Sequence, residues 1–163
     1  MHDNTAQAIA RIRLLVCDFD GVLTDNRVYV DQDGREMVAC NRSDSLGIEL
    51  LRREAGIETV VISKEKNAVV QARCDKMRIS CCHGIDDKVP VLETLARERG
   101  IALSEIAYIG NDVNDLECMR RCGLGVAVAD AHRLVLDEAD VILRKNGGCG
   151  AVREFIDMLV ERK

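Results

Sequence analysis

Short apolar segments alternate with longer amphipathic segments along the chain, and this alternation restricts the fold more than any other feature of the sequence. The apolar segments, such as residues 59–63 (TVVIS), are hydrophobic on both faces, which is typical of strands buried in a parallel sheet. The segments between them, such as residues 45–55 and 87–99, carry apolar residues at helical spacing and end at glycines. Strands that alternate with helices predict an α/β fold with an open parallel sheet.

One pair of segments departs from this alternation. Residues 27–30 and 36–40 flank the sequence DQDG, whose Asp-Gly step is a hairpin signal. The other predicted strands are residues 13–18, 79–82, 105–109, 125–128 and 140–143, and the other predicted helices are residues 67–77, 114–121, 131–136 and 151–161. Since no repeat, linker or low-complexity tract divides the chain, we expect a single domain over residues 1–163.

The composition argues against several classes of function. The net charge is −5 and aromatic residues make up 2% of the chain, so no nucleic-acid partner is expected. No apolar run approaches the roughly 20 residues that cross a bilayer, and residues 1–13 lack an apolar signal core. We therefore expect a cytoplasmic protein without a membrane partner. The eight cysteines lack zinc-ligand spacing and are expected to be reduced, mostly buried thiols.

Polar side chains are predicted at the carboxyl ends of the strands, where open parallel sheets bind ligands. They are Asp18 and Asp20 after the first strand, Ser63 after TVVIS, Lys88 at a helix start, and the GNDVND segment of residues 110–115. Taken singly, each also has a structural explanation as a turn, a helix cap or a solvated carboxylate. Together they predict a crevice with several carboxylates, a hydroxyl and an ammonium group. Clustered carboxylates repel one another unless a cation neutralises them, and Mg²⁺ with a substrate phosphate suits these ligands.

These residues also carry a resemblance to a known family. DFDGVLTD at residues 18–25 resembles the first motif of the haloacid dehalogenase superfamily, DxDGxxTD, and Ser63, Lys88 and GNDVND resemble its other three motifs. The segments RVYVDQDGREM, NRSDSLGIELLR, SKEKN, DDKV, YIGNDVND and GGCGAVREF resemble the subfamily that acts on 2-keto-3-deoxy sugar-acid phosphates. The resemblance implies a Rossmann-like three-layer sandwich with an open parallel sheet, no cap domain and a protruding β-hairpin.

The resemblance also implies an activity. The chain would hydrolyse the phosphomonoester of a small sugar acid of the 2-keto-3-deoxy-octulosonate, nononate or sialic acid type. Asp18 would form an aspartyl-phosphate and Asp20 would act as general acid and base. Ser63 and Lys88 would hold the phosphoryl group. Mg²⁺ would be bound by the Asp18 carboxylate, the Asp20 backbone carbonyl and a residue of the fourth motif.

The fourth motif departs from the pattern of the subfamily. Its phosphatases commonly read GDD, whereas this chain has Asn111 followed by Asp112. An amide oxygen offers a ligand without charge, which implies weaker metal affinity. Asn111 and Asp112 are therefore both candidate metal ligands.

Three further positions are compared with the subfamily. Cys149 stands where the C-terminal segment of the subfamily often carries Arg between glycines. Removal of the chain from Gly147 onward is expected to impair the reaction without dissociating the oligomer. Glu65 and Arg73 match positions that contact the sugar acid. Arg73 would suit a substrate carboxylate, with a plain helix-surface role as the alternative.

The spacing of the motifs excludes a cap domain. Only 43 positions separate Asp20 from Ser63, and only 25 separate Ser63 from Lys88. An open site needs another means to exclude water. The resemblance implies a homotetramer packed through the hairpin of residues 27–40, in which a neighbouring subunit closes each site.

Two other functions stay open. The chain also resembles the C-terminal module of CMP-sialic acid synthetases, which implies a catalytically weak tetramerisation module, and Asn111 mildly favours it. A phospho-accepting receiver is the other alternative. It ranks last, because receivers accept the phosphoryl group on an Asp after a middle strand, and here that strand ends in Ser63.

Overall fold

A computed structural model describes residues 3–161, so the first two and last two residues of the predicted 1–163 domain lie outside it. The strands are β1 (Leu14–Cys17), β2 (Thr24–Val30), β3 (Glu36–Cys40), β4 (Glu58–Ile62), β5 (Ser80–Cys82), β6 (Ile106–Gly110), β7 (Leu124–Ala127) and β8 (Val141–Ile142). The helices are α1 (Asp3–Arg11), α2 (Arg42–Leu50), α3 (Val69–Met77), α4 (Lys88–Arg99), α5 (Leu116–Arg121), α6 (Arg133–Glu138) and α7 (Ala151–Val160).

Six strands form one parallel sheet in the order β5-β4-β1-β6-β7-β8. The chain moves outward from β1 through β4 to β5, then crosses to β6 and continues outward to β8. Right-handed crossovers place α2 and α3 on one face of such a sheet and α4, α5 and α6 on the other. Helix α7 packs against α2 and joins the first face. The open parallel sheet with helices on both faces confirms the predicted α/β fold.

The reversal of strand order at β1 determines where a ligand can bind. β1 lies between β4 and β6, and its Val16 is in register with Val60 on one side and Tyr108 on the other. Loops that follow β1 and its two neighbours therefore diverge and leave a crevice at the carboxyl ends of the strands. All four residues of β1 are buried, so the crevice rests on the hydrophobic centre of the sheet.

Strands β2 and β3 form a separate antiparallel hairpin, as the Asp-Gly signal predicted. Asp31 Oδ1 accepts hydrogen bonds from the backbone N–H groups of Asp33 and Arg35, and Gly34 takes φ +76°. Most of the hairpin is exposed, including the large apolar side chains of residues 28–30 and Met37. The predicted protruding hairpin is thus confirmed.

The helices differ most from prediction in two places, and the other predicted bounds agree to within two residues. Helix α1 was not predicted, since Asp3–Arg11 contains few apolar residues, and its Ile9 is buried against the core. The helix predicted for residues 45–55 begins earlier, at Arg42, because the Asn41 side chain caps it by accepting from Ser43 N at 2.8 Å. Its last turn, Leu51–Ala55, is a π-helix and ends at the predicted glycine.

The C-terminal segment is part of the core, which corrects the expectation that it can be removed. Helix α7 buries Ala151, Val152, Phe155, Ile156 and Leu159. The glycines before it lie directly on the loop that follows β1: Gly148 N donates to Val22 O at 3.0 Å, and a Cβ on Gly147 would lie 1.8 Å from Gly21 O. A chain without this segment would expose both the core and that loop.

The cysteines are free thiols, although fewer are buried than predicted. Cys17, Cys74 and Cys118 are buried, four others are half-buried and Cys149 is exposed. Cys40 lies on the exposed hairpin, and Cys81 and Cys82 lie on the edge strand β5, positions that composition alone does not reveal. Among residues 3–161, no helix is long and apolar enough to span a membrane.

Candidate active site

The loop after β1 is built to present Asp18. Thr24 Oγ1 accepts hydrogen bonds from the backbone N–H groups of Gly21 (3.1 Å) and Asn26 (3.2 Å), and Thr24 is fully buried. Gly21 takes φ +79°, a conformation that a residue with a Cβ adopts only with strain. Asp18 stands at the end of β1, and its Oδ1 accepts from Phe19 N at 2.7 Å. The DFDGVLTD sequence therefore forms a rigid turn at the carboxyl end of the central strand.

Lys88 lies between two carboxylates. Its Nζ is 2.9 Å from Asp18 Oδ1 and 2.7 Å from Asp115 Oδ1, and all three side chains are buried. Burial alone would lower the pKa of Lys88, but the carboxylates of Asp115 and Asp18 outweigh it and raise that pKa. Lys88 is therefore charged, although a cation at the first residue of a helix opposes the helix dipole.

Asp115 is the central acceptor of this network and was not among the predicted site residues. Its Oδ1 also accepts from Tyr108 Oη at 2.9 Å, and its Oδ2 accepts from the backbone N–H of Asn111 at 3.0 Å. Asp115 is fully buried and does not line the cleft. It positions Lys88 and the loop after β6 rather than meeting a ligand.

Tyr108 was the sequence signal from which the role of Asp115 as a buried acceptor could have been found. A tyrosine inside a strand buried at every residue requires a hydrogen-bond partner for its hydroxyl group. The partner comes from the loop that follows the same strand. Burial, with repulsion from Asp115 as the second cause, raises the pKa of Tyr108 well above its ordinary value, so Tyr108 donates its proton to the hydrogen bond.

Asn111 lies against Gly21 of the turn after β1 and carries an unsatisfied acceptor. Its Oδ1 is buried without a hydrogen-bond partner among the described residues, and a Cβ on Gly21 would lie 2.1 Å from its Nδ2. A buried carbonyl oxygen without a partner is costly unless a ligand completes it. The amide oxygen of Asn111 and the carboxylate of Asp18 are hard oxygen donors, which suits Mg²⁺.

Asp112 is arranged differently from Asn111. It lines the cleft, but it is exposed and its Oδ1 accepts from Val113 N at 2.7 Å. Among the described residues, no group of three Asp, Glu, His or Cys side chains is placed to hold a metal ion. A metal at this edge would therefore be held by fewer than three carboxylates, together with amide and backbone oxygens.

Ser63 and Glu65 form the opposite wall of the cleft. Ser63 follows β4, is buried, and accepts through its Oγ from Glu65 N at 3.1 Å. Glu65 Oε1 turns back onto the backbone N–H of Asn67 at 2.7 Å. Burial, and next the Glu65 carboxylate, raise the pKa of Asp20, while Lys88 lowers it.

Seven of the eight predicted site residues lie in this region. An open cleft of about 440 Å³ is lined by six of them, namely Asp18, Asp20, Ser63, Glu65, Asn111 and Asp112, with Lys88 directly behind Asp18. Arg73 lies outside it. Its Nη2 donates to Ser45 Oγ, and it lines a separate groove between α2 and α3.

The sequence matches a family profile of haloacid dehalogenase-like hydrolases over residues 59–156. This covers more than half of the chain. The chain therefore belongs to the haloacid dehalogenase-like hydrolase family, and within that family it is a phosphatase.

Similar proteins refine this assignment. The chain is 39% identical over 160 residues to 3-deoxy-D-manno-octulosonate 8-phosphate phosphatase KdsC of Escherichia coli (strain K12), across 96% of this chain and 85% of that protein. The crystal structure of this phosphatase from Yersinia pestis matches with TM-score 0.96 at 36% identity, covering 99% of this chain and 88% of that chain. The phosphatase from Moraxella catarrhalis, solved in complex with magnesium, phosphate and KDO, matches with TM-score 0.94 at 34% identity, covering 99% and 94%.

Proposed function

We propose that the chain is a Mg²⁺-dependent phosphatase that hydrolyses the phosphomonoester of a 2-keto-3-deoxy sugar acid through an aspartyl-phosphate. The observation that supports this most directly is the Asp18–Lys88–Asp115 network at the base of a polar cleft. Both contacts of Asp18 go to Oδ1, from Lys88 and from Phe19 N, so Oδ2 remains for attack on phosphorus.

The reaction needs one nucleophile and one group that gives and takes a proton. Asp18 Oδ2 would attack phosphorus while the bond to the leaving oxygen breaks and Asp20 gives its proton to that oxygen. Asp20 would then take a proton from water, whose oxygen attacks the aspartyl-phosphate and releases phosphate and free Asp18. A raised pKa suits Asp20 to this role, since its proton must still be present when the leaving oxygen needs it.

The phosphoryl group would be held from the side of Ser63 and Lys88. The Lys88 charge is fixed close to Asp18, and the Ser63 hydroxyl group lines the same cleft. Mg²⁺ would be held by the Asp18 carboxylate, the Asp20 backbone carbonyl and the Asn111 amide oxygen, and when bound it would offset the repulsion between nucleophile and phosphate dianion. Asn111 is preferred over Asp112 because its Oδ1 is the buried acceptor without a partner.

The class of substrate is proposed from the relatives, whose names specify 3-deoxy-D-manno-octulosonate 8-phosphate. The polar cleft is compatible with a hydroxylated, anionic sugar acid, since Lys64 and Lys66 stand at its rim beside Glu65. Arg73 could reach a substrate carboxylate only from another subunit or after a side-chain movement, because its groove is separate from the cleft.

A homotetramer would complete the open cleft. We base this on the exposed apolar side chains of the hairpin, among them Tyr29 at 52% and Met37 at 60% exposure. A contiguous apolar surface of this kind usually marks a protein contact. Asn67 Nδ2 donates to Glu36 Oε2 at 3.0 Å, so the hairpin is tied to the segment that also holds Glu65.

The decisive experiment measures phosphate release from a panel of sugar-acid phosphates, with Mg²⁺ and with chelator. We expect 3-deoxy-D-manno-octulosonate 8-phosphate or a close analogue to be hydrolysed only with metal, and Asp18→Asn to be inactive although folded. Release from ordinary sugar phosphates alone would contradict the substrate class. Substantial activity in Asp18→Asn would contradict the covalent mechanism, and no release from any substrate would favour the assembly module.

A further inference from the structure

Asn26 lines the catalytic cleft but has no part in the reaction described above. It lies on β2, a few residues after Asp20, and is exposed. Its backbone N–H donates to Thr24 Oγ1 at 3.2 Å, and its side-chain amide makes no hydrogen bond with any of residues 3–161. An uncharged group that can both donate and accept a hydrogen bond is therefore free at the cleft.

The backbone holds Asn26 out of the hairpin ladder. On β2 the step from Thr24 to Val28 spans more residues than the facing step from Cys40 to Val38 on β3, so Asn26 lies in a bulge. It takes φ +63°, which asparagine tolerates better than most residues and glycine better still. The bulge alone therefore does not require an amide. Bulges beside active sites commonly direct a side chain toward the ligand.

Thr24 connects this bulge to the proposed general acid. Its buried hydroxyl group accepts from Asn26 N and donates to the Asp20 carboxylate. The C-terminal glycine loop packs on the same residue from behind, since a Cβ on Gly148 would overlap the Thr24 carbonyl carbon. Asn26 is therefore held in a fixed position relative to Asp20.

Asp20 also determines which part of a substrate lies near Asn26. In the proposed reaction Asp20 gives its proton to the leaving oxygen, whereas Ser63 and Lys88 hold the phosphoryl group. Since Asn26 is joined to Asp20 through a single hydroxyl group, it lies beside the alcohol part of the substrate. An amide forms hydrogen bonds with a hydroxyl group of that alcohol but not with a hydrocarbon chain.

We propose that Asn26 is a specificity-determining residue, which binds a hydroxyl group on the carbon next to the phosphoester of the substrate. The side-chain amide donates to this hydroxyl group or accepts from it. The inference rests on the proposed function, because Asp20 marks the alcohol side of the cleft only if it is the general acid. A neutral hydrogen bond at an exposed position should change affinity roughly two- to tenfold.

The test compares glycerol 3-phosphate with propyl phosphate, two esters of three-carbon alcohols that differ only in their hydroxyl groups. Calorimetry measures their binding to the inactive Asp18→Asn chain with Mg²⁺, and NMR follows the Asn26 side-chain amide. We expect the glycerol ester to bind roughly two- to tenfold more tightly and to shift the amide signals. Equal affinities, or no binding of either ester, would overturn the proposal.

Substitutions at Asn26 in the same inactive chain separate recognition from folding. Asn26→Gly removes the amide from a backbone that glycine adopts readily, so the melting temperature should be retained while the two esters bind equally. Asn26→Asp adds a negative charge near the anionic ligand and should weaken both esters. Asn146→Gly, at an exposed asparagine outside the cleft, is the control and should keep the preference for the glycerol ester. A preference that persists in Asn26→Gly would overturn the proposal.

Turnover of sugar-acid phosphates distinguishes this inference from the proposed function. With Asp18 intact, Asn26→Gly should raise KM for 3-deoxy-D-manno-octulosonate 8-phosphate roughly two- to tenfold and change kcat little. If the wild type hydrolyses no sugar-acid phosphate, yet the preference for the glycerol ester is lost in Asn26→Gly, the substrate class is wrong and the role of Asn26 stands. If both chains hydrolyse this substrate with the same KM, the role of Asn26 is wrong and the proposed function stands.

Discussion

Asp18 combines a charge that catalysis needs with surroundings that disfavour it. Burial, and then repulsion from Asp115, raise its pKa from 3.8 to about 7, although Lys88 and the Phe19 N–H oppose the shift. The folded chain therefore holds this proton more tightly than the unfolded chain does. The resulting stability is fully present below about pH 4 and is lost as the pH rises to about 7.

Asp18→Asn should remove this pH dependence. In chelator, the free energy of unfolding of the wild type should fall relative to the variant between about pH 4 and pH 7, the two limits of the Asp18 titration. Denaturant unfolding at several pH values measures it, with Asp137→Asn on α6 as a control that should follow the wild type. Parallel curves for Asp18→Asn and wild type would show that the carboxyl group is not perturbed.

Asp20→Asn tests the proton-transfer role. The variant keeps the size of the side chain and leaves Asp18 and Lys88 in place, so substrate binding should change little. We expect kcat to fall by roughly 10²–10⁴-fold, the range typical of a positioned acid and base. The loss should be smaller for substrates whose leaving group needs no proton, such as a nitrophenyl phosphate. Equal losses for both kinds of substrate would contradict the role of general acid.

Asn111→Asp should strengthen Mg²⁺ binding. The added unit charge attracts the doubly charged ion by ~2–8 kcal/mol at about 4 Å, for dielectrics between water and a protein surface, and repulsion from Asp18 offsets part of it. Calorimetric titration of Mg²⁺ into the chain itself measures the affinity.

The control for this variant is Asn114→Asp, the same change of charge at the rim of the same cleft. It should have a smaller effect, as should Asp112→Ala, since Asp112 caps its own loop. If Asp112→Ala weakens binding while Asn111→Asp leaves it unchanged, Asp112 and not Asn111 is the ligand.

Among the helices, α7 is the C-terminal one, yet its apolar face is buried in the core. Its N-terminal end is tied to α2, because Arg153 N donates to the buried Asp44 Oδ1 at 2.8 Å. Burial raises the pKa of Asp44, and its Oδ2 lacks a hydrogen-bond partner among the described residues. The polar contact between Asp44 and α7 is therefore confined to Oδ1. The apolar face of the helix supplies most of the attachment.

A chain that ends at Asn146 should therefore not fold. The four largest side chains buried by α7 contribute about 1.5–3 kcal/mol each, which together approaches the roughly 5–15 kcal/mol stability of a typical domain. Circular dichroism and thermal melting of the truncated chain measure this. The full-length Cys149→Arg variant is the control and should melt like the wild type, since Cys149 is exposed. A truncated chain with a cooperative transition would contradict the core role.

For the assembled protein, the hairpin is the surface to test. The double variant Tyr29→Glu/Met37→Glu should dissociate the proposed tetramer, because it places charge on an apolar face that is more than half exposed in the single chain. Light scattering gives the mass, and activity should fall with it if a neighbour closes each cleft. Leu134→Glu, at a side chain 51% exposed on α6, is the control and should leave the mass unchanged. A fully active monomeric wild type would contradict the assembly.

Much of this molecule could be predicted from local sequence alone. Strands buried on both faces, helices that end at glycines and an Asp-Gly turn are short-range patterns, and each of these elements formed close to its predicted bounds. Because parallel strands share one carboxyl edge, the polar residues after β1, β4 and β6 could also be brought together before any coordinates.

Tertiary structure decided what depends on contacts between distant segments. The contact of Lys88 with Asp115, the separation of Arg73 from the cleft and the position of the Gly147 loop on the Asp18 turn each depend on residues that no local pattern relates. Amphipathicity predicted that α7 is a helix, but not that its buried face stabilises the fold beside α2. Local conformation follows from nearest neighbours in sequence, whereas side-chain partners follow from packing in three dimensions, which the chain reaches only when the sheet is assembled.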